Sequence, residues 1–170
     1  MPGNSSTDRL EKLVILDAPR SRVWRALTDV TQFNAWFGVE LQTPFVPGAA
    51  VSGKLTFKGY DHLTLQIRIE TMEPERHFSF RWHPFAIDPN VDYSAEPTTL
   101  VSFTLEDADG GTRLTITESG FDAIPASRRA AAFSSNSAGW DAQAKNIQKL
   151  LAEDATERGA SSAPHLGSER

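Results

Sequence analysis

The chain changes its hydrophobic period twice, and that change limits what it can fold into. Before Gly38, Val23, Leu27 and Val30 recur at i, i+4 and i+7 with Trp24 beside them, as an amphipathic helix requires. From Val51 onward the period falls to two. Val51, Gly53, Leu55 and Phe57 alternate with Ser52, Lys54, Thr56 and Lys58, and Leu63, Leu65, Ile67 and Ile69 alternate with polar neighbours. Phe78, Phe80 and Trp82, then Val101, Phe103 and Leu105, then Leu114 and Ile116 repeat the pattern. Helical spacing returns over 127–152, where Phe133, Trp140, Ala144, Ile147 and Leu151 share one stripe. Five strands with one apolar face predict an antiparallel sheet covered on one side. The last helix is the available cover.

Local signals set the borders. Residues 12–16 read as a first strand that stops at Ala18-Pro19, with proline suited to the first helical position. Asp29 followed by Gln32 reads as the cap of a second, short helix ending at Trp36-Phe37-Gly38. Asp109-Gly110-Gly111 signals a hairpin, and Gly59-Tyr60-Asp61 a turn. The order β-α-α, strands, helix is an α+β plan. With 170 residues, one domain is the expectation. Its bounds are set at 9–153, with disordered tails at 1–8 and 154–170, where little can be buried.

Composition removes several classes of function. Seventeen Lys and Arg against 22 Asp and Glu give a net charge of -5, which offers no footprint for nucleic acid. The absence of cysteine removes disulfides, thiolate metal sites and cysteine catalysis. No window reaches the length of a membrane span, and the polar N-terminus lacks a signal-peptide centre, so a cytoplasmic location is expected. His62, His77, His83 and His165 never fall at the spacing of a local metal site, and the acidic residues from Asp88 to Glu96 do not match a calcium loop. No phosphate loop, HExxH or nucleophile elbow occurs. Neither cofactor nor metal is expected.

Aromatic side chains pointing one way remain. Phe57, Phe80, Trp82 and Phe103 share the inward parity of the sheet with Leu65 and Ile67, while Phe133 and Trp140 share the helix stripe and Trp36 ends the short helix. They form either a solid core or the wall of an apolar cavity. Continuing the parity of Leu114 and Ile116 turns Glu118 inward. An inward carboxylate is paired, hydrated or neutral; it either ends the strand outside the core or orients a ligand. If inward and without a cation, its pKa is raised and Glu118→Gln leaves the fold as stable or slightly more so. Asn136 and Ser137, one turn before Trp140, are either solvated or at a cavity mouth. The stretch 84–97, PFAIDPNVDYSAEP, is long for a connection and is either a lid or a decorated hairpin loop.

These blocks in this order resemble a known family. DAPRSRVWRALTDVTQFNAWFG, PGAAVSGKL, the run Glu70-Thr71-Met72-Glu73-Pro74 with His77 to Trp82, TTLVSFTLEDADGGTRLTITESGF and GWDAQAKNIQKLL are similar to the SRPBCC (START-like, helix-grip) superfamily. Within it they resemble the branch named for the activator of the heat-shock-chaperone ATPase, over residues 13–151. The resemblance implies a helix-grip fold: about seven antiparallel strands curved around the last helix, two small helices closing one end, and a cavity for lipids, aromatic polyketides or hormones. The superfamily mixes carriers, cyclases, hydrolases and co-chaperones, so the fold alone does not name the activity.

Three readings follow. The first is a module binding a small apolar or aromatic molecule, lipids included, through Trp36, Phe57, Leu65, Ile67, Phe80, Trp82, Phe103, Glu118, Phe133, Asn136 and Trp140. The second is a cyclase or hydrolase using Glu118 or Asp88 as acid or base, ranked lower for want of a complete nucleophile–base set. The third is a co-chaperone module linked to stress response. It ranks last because the co-chaperones carry an additional N-terminal domain that 170 residues do not accommodate. A monomer or weak homodimer is expected.

Overall fold

Two caps and one glycine set the first turns of the chain. The computed structural model describes residues 7–168, with side chains for 7–153. Strand β1 (Arg9–Leu16) leads through Pro19, the cap residue, into α1 (Arg20–Thr28). Proline thus precedes the helix by one residue instead of opening it. The Asp29 carboxylate accepts from the backbone N–H groups of Thr31 and Gln32 and opens α2 (Val30–Phe37), satisfying donors that have no partner inside the helix. Gly38 closes α2 at φ 89°, a left-handed conformation that glycine adopts without cost.

Six more strands follow: β2 (Val39–Leu41), β3 (Ala50–Leu55), β4 (Thr64–Glu73), β5 (His77–Trp82), β6 (Thr99–Ala108) and β7 (Gly111–Ser119). A single 3-10 turn, Phe121–Ala123, precedes α3 (Ala126–Ser168). The seven strands form one antiparallel sheet in the order β1-β7-β6-β5-β4-β3-β2, so the fold is the expected helix-grip α+β plan. A register shift between Ile69 and Thr71 marks a bulge in β4, a device that bends a sheet. Strand β2 has three residues and no legible period, while β3 stops at Leu55 and leaves Phe57 in the turn that follows.

Parity predicts the inner face. Val51, Ile67, Ile69, Phe78, Phe80, Val101, Phe103, Leu114 and Ile116 are all buried, and so is Glu118. Helices α1 and α2 add Val23, Leu27, Phe33 and Trp36, and α3 adds Ala132, Trp140 and Ile147. On the outer face of β1, Leu13 and Ile15 stay exposed. The backbone of Asp8 accepts from the N–H groups of Gly120 and Phe121, tying the start of β1 to the end of β7. Apart from Thr7 and Asp8, the tails expected at 1–8 and 154–170 lie outside the residues whose side chains are described.

Candidate functional site

Antiparallel register brings three strand ends together. Trp82 pairs with Thr99 across β5 and β6, and Val101 pairs with Glu118 across β6 and β7. Thr99, Trp82 and Glu118 therefore sit at the same end of the sheet on its inner face. Helix α3 crosses above them and presents Asn136 and Trp140, one turn apart.

All four neighbours donate to the Glu118 carboxylate. Trp82 Nε1 reaches Oε2 at 2.8 Å and Thr99 Oγ1 reaches the same oxygen at 2.6 Å. Trp140 Nε1 reaches Oε1 at 2.9 Å, and Asn136 Nδ2 lies 3.0 Å from both oxygens. Among the described residues no cation takes part. Burial pushes the Glu118 pKa above its ordinary value, against the opposing pull of the four hydrogen bonds, because removing a carboxylate from water penalises its charged form. Among the described residues no buried side-chain nitrogen or oxygen lacks a partner. A carboxylate wrapped by four donors is built to hold its neighbours in place.

The two indoles so anchored stack on each other, with centroids 5.8 Å apart at 29°. Beyond them opens a cleft of about 700 Å³, within the range of small-molecule sites. Phe37 at the end of α2, Leu55, Phe57 and Leu65 form one side, and Asn136, Gly139, Trp140 and Gln143 of α3 form the floor. Phe85, Ile87, Val91 and Tyr93 from the long connection between β5 and β6 form the far side. Arg128 pins that connection. It donates to the carbonyls of Pro84 and Phe85, pairs with Glu96 at 2.8 Å, and lies 4.7 Å over the Tyr93 ring.

A family profile described as "Activator of Hsp90 ATPase homolog 1-like protein" matches residues 17–152. The chain belongs to that family. A search of curated proteins returned no match. Solved structures share its fold. Protein MLL2253 of Mesorhizobium loti is 23% identical, with a TM-score of 0.67 over 85% of this chain and 97% of its own. Protein NE0264 of Nitrosomonas europaea is 17% identical, with a TM-score of 0.71 over 90% of this chain and 99% of its own. DynU16, a protein of the dynemicin biosynthetic locus, is 26% identical with a TM-score of 0.65, covering 85% of this chain but 47% of its own longer one.

The residues singled out by sequence divide into three groups. Phe57, Leu65, Trp82, Asn136 and Trp140 come together on the cleft. Trp36, Ile67, Phe80 and Phe103 are buried in the filled centre between sheet and helices, where Phe103 packs on Trp36, Phe78, Phe80 and Trp140. Phe133 packs on Phe121, 5.0 Å away, outside the cleft. Glu118 lies between the groups, behind the indoles. Sequence reasoning missed Phe37, Tyr60, His62 and Gln143. Gln143 was findable, since it extends the stripe of Asn136 and Trp140 by three residues. Among the described residues no group of three His, Asp or Glu is placed to hold a metal, and no helix is long and apolar enough to cross a membrane.

Proposed function

We propose that this protein binds one small hydrophobic or aromatic molecule in the cleft between Trp82, Trp140 and the 84–97 connection. The observation that carries this reading is the wall itself. Two stacked indoles, whose polar edges are already satisfied by Glu118, line a cleft of about 700 Å³, the half-buried Trp82 offering ring surface and the buried Trp140 backing it. A three-ring aromatic would bury on the order of 300 Å² of its own surface and as much of the wall. At ~25 cal/mol/Å² that is about 15 kcal/mol gross. Association costs of several kcal/mol leave micromolar binding within reach.

Kinship with DynU16, a protein of a biosynthetic locus, is in keeping with a small-molecule ligand. Glu118 serves this reading as a positioning residue, because both its oxygens are occupied by donors.

The test pairs two measurements. Native mass spectrometry of freshly purified protein looks for a retained small molecule, and titration with 9-anthracenemethanol follows tryptophan quenching. Saturable quenching in the micromolar range, weakened at least fivefold by Gly139→Leu on the cleft floor, is the expected result. Quenching that never saturates, or that ignores Gly139→Leu, overturns the proposal.

A further inference from the structure

Four side chains of the cleft wall each turn an N–H donor inward, and Gln66 is a further amide on the lining. The indole nitrogens of Trp82 and Trp140 donate to Glu118, as does the amide nitrogen of Asn136. Gln143 Nε2 donates to the Phe37 carbonyl at 3.0 Å. A peptide carbonyl only accepts, and so does an ionised carboxylate. Their positions therefore dictate which way both amides are turned. Asn136 keeps Oδ1, an acceptor, and the second Nδ2 hydrogen that the Glu118 contact does not use. His83 Nε2 lies 3.1 Å from the Glu96 carbonyl, which makes Nδ1 an acceptor in the neutral ring.

The charge of the lining points the same way. Among the described residues the cleft is bordered by Asp88 and Asp92 and by no Lys or Arg, with His62 and His83 as its other titratable groups besides Tyr60 and Tyr93. The backbone N–H of Ser94 donates to Asp92 at 3.0 Å and holds that carboxyl below its usual pKa. Asp88 accepts from the Asn90 N–H at 2.9 Å. Arg128, which grips the same connection, is already paired with Glu96. The hydroxyls of Thr64, Ser94 and Ser135 rotate and serve a ligand of either sign.

A bound carboxylate would face two like charges, with only amides, hydroxyls and imidazoles among the described residues, and no Lys or Arg, to donate to it. A bound ammonium would face acceptors, two opposite charges and the faces of aromatic rings, whose quadrupoles attract cations. We infer that the cleft selects its ligand by charge, accepting aromatic molecules that carry a protonated amine and disfavouring their carboxylate counterparts. This rests on the cleft being the ligand site. It narrows the broad apolar class read from the sequence and sets free fatty acids outside it.

Three probes of one shape test the selection: 9-(aminomethyl)anthracene, 9-anthracenemethanol and 9-anthracenecarboxylate, titrated at pH 7 in low salt. The expected affinity order is ammonium, alcohol, carboxylate, with at least a tenfold span between the extremes. Asp88→Asn/Asp92→Asn should shrink that span at least threefold, read as the ratio between probes on the same variant, and 0.5 M NaCl should shrink it as well. A carboxylate that binds as tightly as the ammonium, or a span that survives the double substitution, overturns the charge selection and leaves the binding site standing. Failure of all three probes to bind overturns both.

Discussion

Trp82 on β5 and Trp140 on α3 donate their indole N–H groups to opposite oxygens of one buried carboxylate, at 2.8 and 2.9 Å. The same two rings stack on each other and face the cleft. Sheet and helix are therefore joined through Glu118 behind the cleft wall, and the shape of that wall depends on a hydrogen-bond set turned away from the cleft.

Replacing either indole by a benzene ring removes a donor and keeps most of the apolar surface. Trp82→Phe and Trp140→Phe should each cost about 1–2 kcal/mol, measured by urea unfolding. Because both donors serve one carboxylate, the double variant should depart from additivity by about 0.5–3 kcal/mol. Strict additivity would mean that the two indoles do not share a partner in solution.

Glu118→Gln should be destabilising by about 1–3 kcal/mol. This reverses the expectation drawn from the sequence, which foresaw a neutral or slightly stabilising change. All four neighbours donate to the carboxylate, so the new amide nitrogen must face at least one of them donor to donor. Of the four, the Thr99 hydroxyl can reverse by rotating its O–H bond.

The pH dependence of that difference has a definite sign. A raised pKa in the folded protein means that the folded state holds the proton more tightly than the unfolded one. The stabilisation is complete below the unfolded value near 4.5 and is lost as pH rises through the folded pKa. The advantage of the wild type over Glu118→Gln should therefore be larger at pH 5 than at pH 8. Denaturation curves at the two pH values measure it, and an advantage that grows with pH would show the hydrogen bonds outweighing desolvation.

Arg128→Met should free the 84–97 connection. The side chain holds two carbonyls, a carboxylate and a ring, and its pair with Glu96 is largely shielded, with side-chain exposures of 18% and 20%. Faster amide exchange across 85–94, with unchanged exchange in β6 and β7, is the expected pattern. Uniform acceleration throughout the protein would assign Arg128 to global stability instead.

Gly38→Ala should disturb the cleft from behind. At φ 89° the alanine is strained, and its Cβ would collide with the Phe57 ring. Phe57 stacks on Phe37 at the edge of the cleft. A loss of about 1–3 kcal/mol, together with altered probe affinity, is expected. Stability loss with unchanged affinity would separate Phe57 from the site.

Period-two spacing located five strands because each has a face to bury, and the parity of Leu114 and Ile116 placed Glu118 correctly. It could not locate Val39–Leu41, since three residues hold too little pattern. Parity also names a face of the sheet without saying where along its curve a residue falls. Phe80 and Phe103 therefore looked equivalent to Trp82, yet they lie in the filled centre and Trp82 at the open end. Phe85, Ile87, Val91 and Tyr93 belong to a connection without period, so the sequence marked that stretch by its length and apolar content alone. The donors around Glu118 come from three elements, β5, β6 and α3, and are separated by up to 58 positions, from Trp82 to Trp140. No local spacing encodes such a set.

Chain order gives the buried carboxylate a role in assembly. Trp82, Thr99 and Glu118 are synthesised before Asn136 and Trp140. Until α3 arrives, water must supply what the helix later donates, so docking of that helix is the step that dehydrates the carboxyl group. Reversing it rehydrates Glu118 and strips two donors of their acceptor at once, which ties helix and sheet into one cooperative unit. The seam between β5 and α3 is accordingly the side that resists prying open. Across the cleft, the 84–97 connection has no such shared buried group among the described residues and is held by Arg128 and by the His83–Glu96 contact.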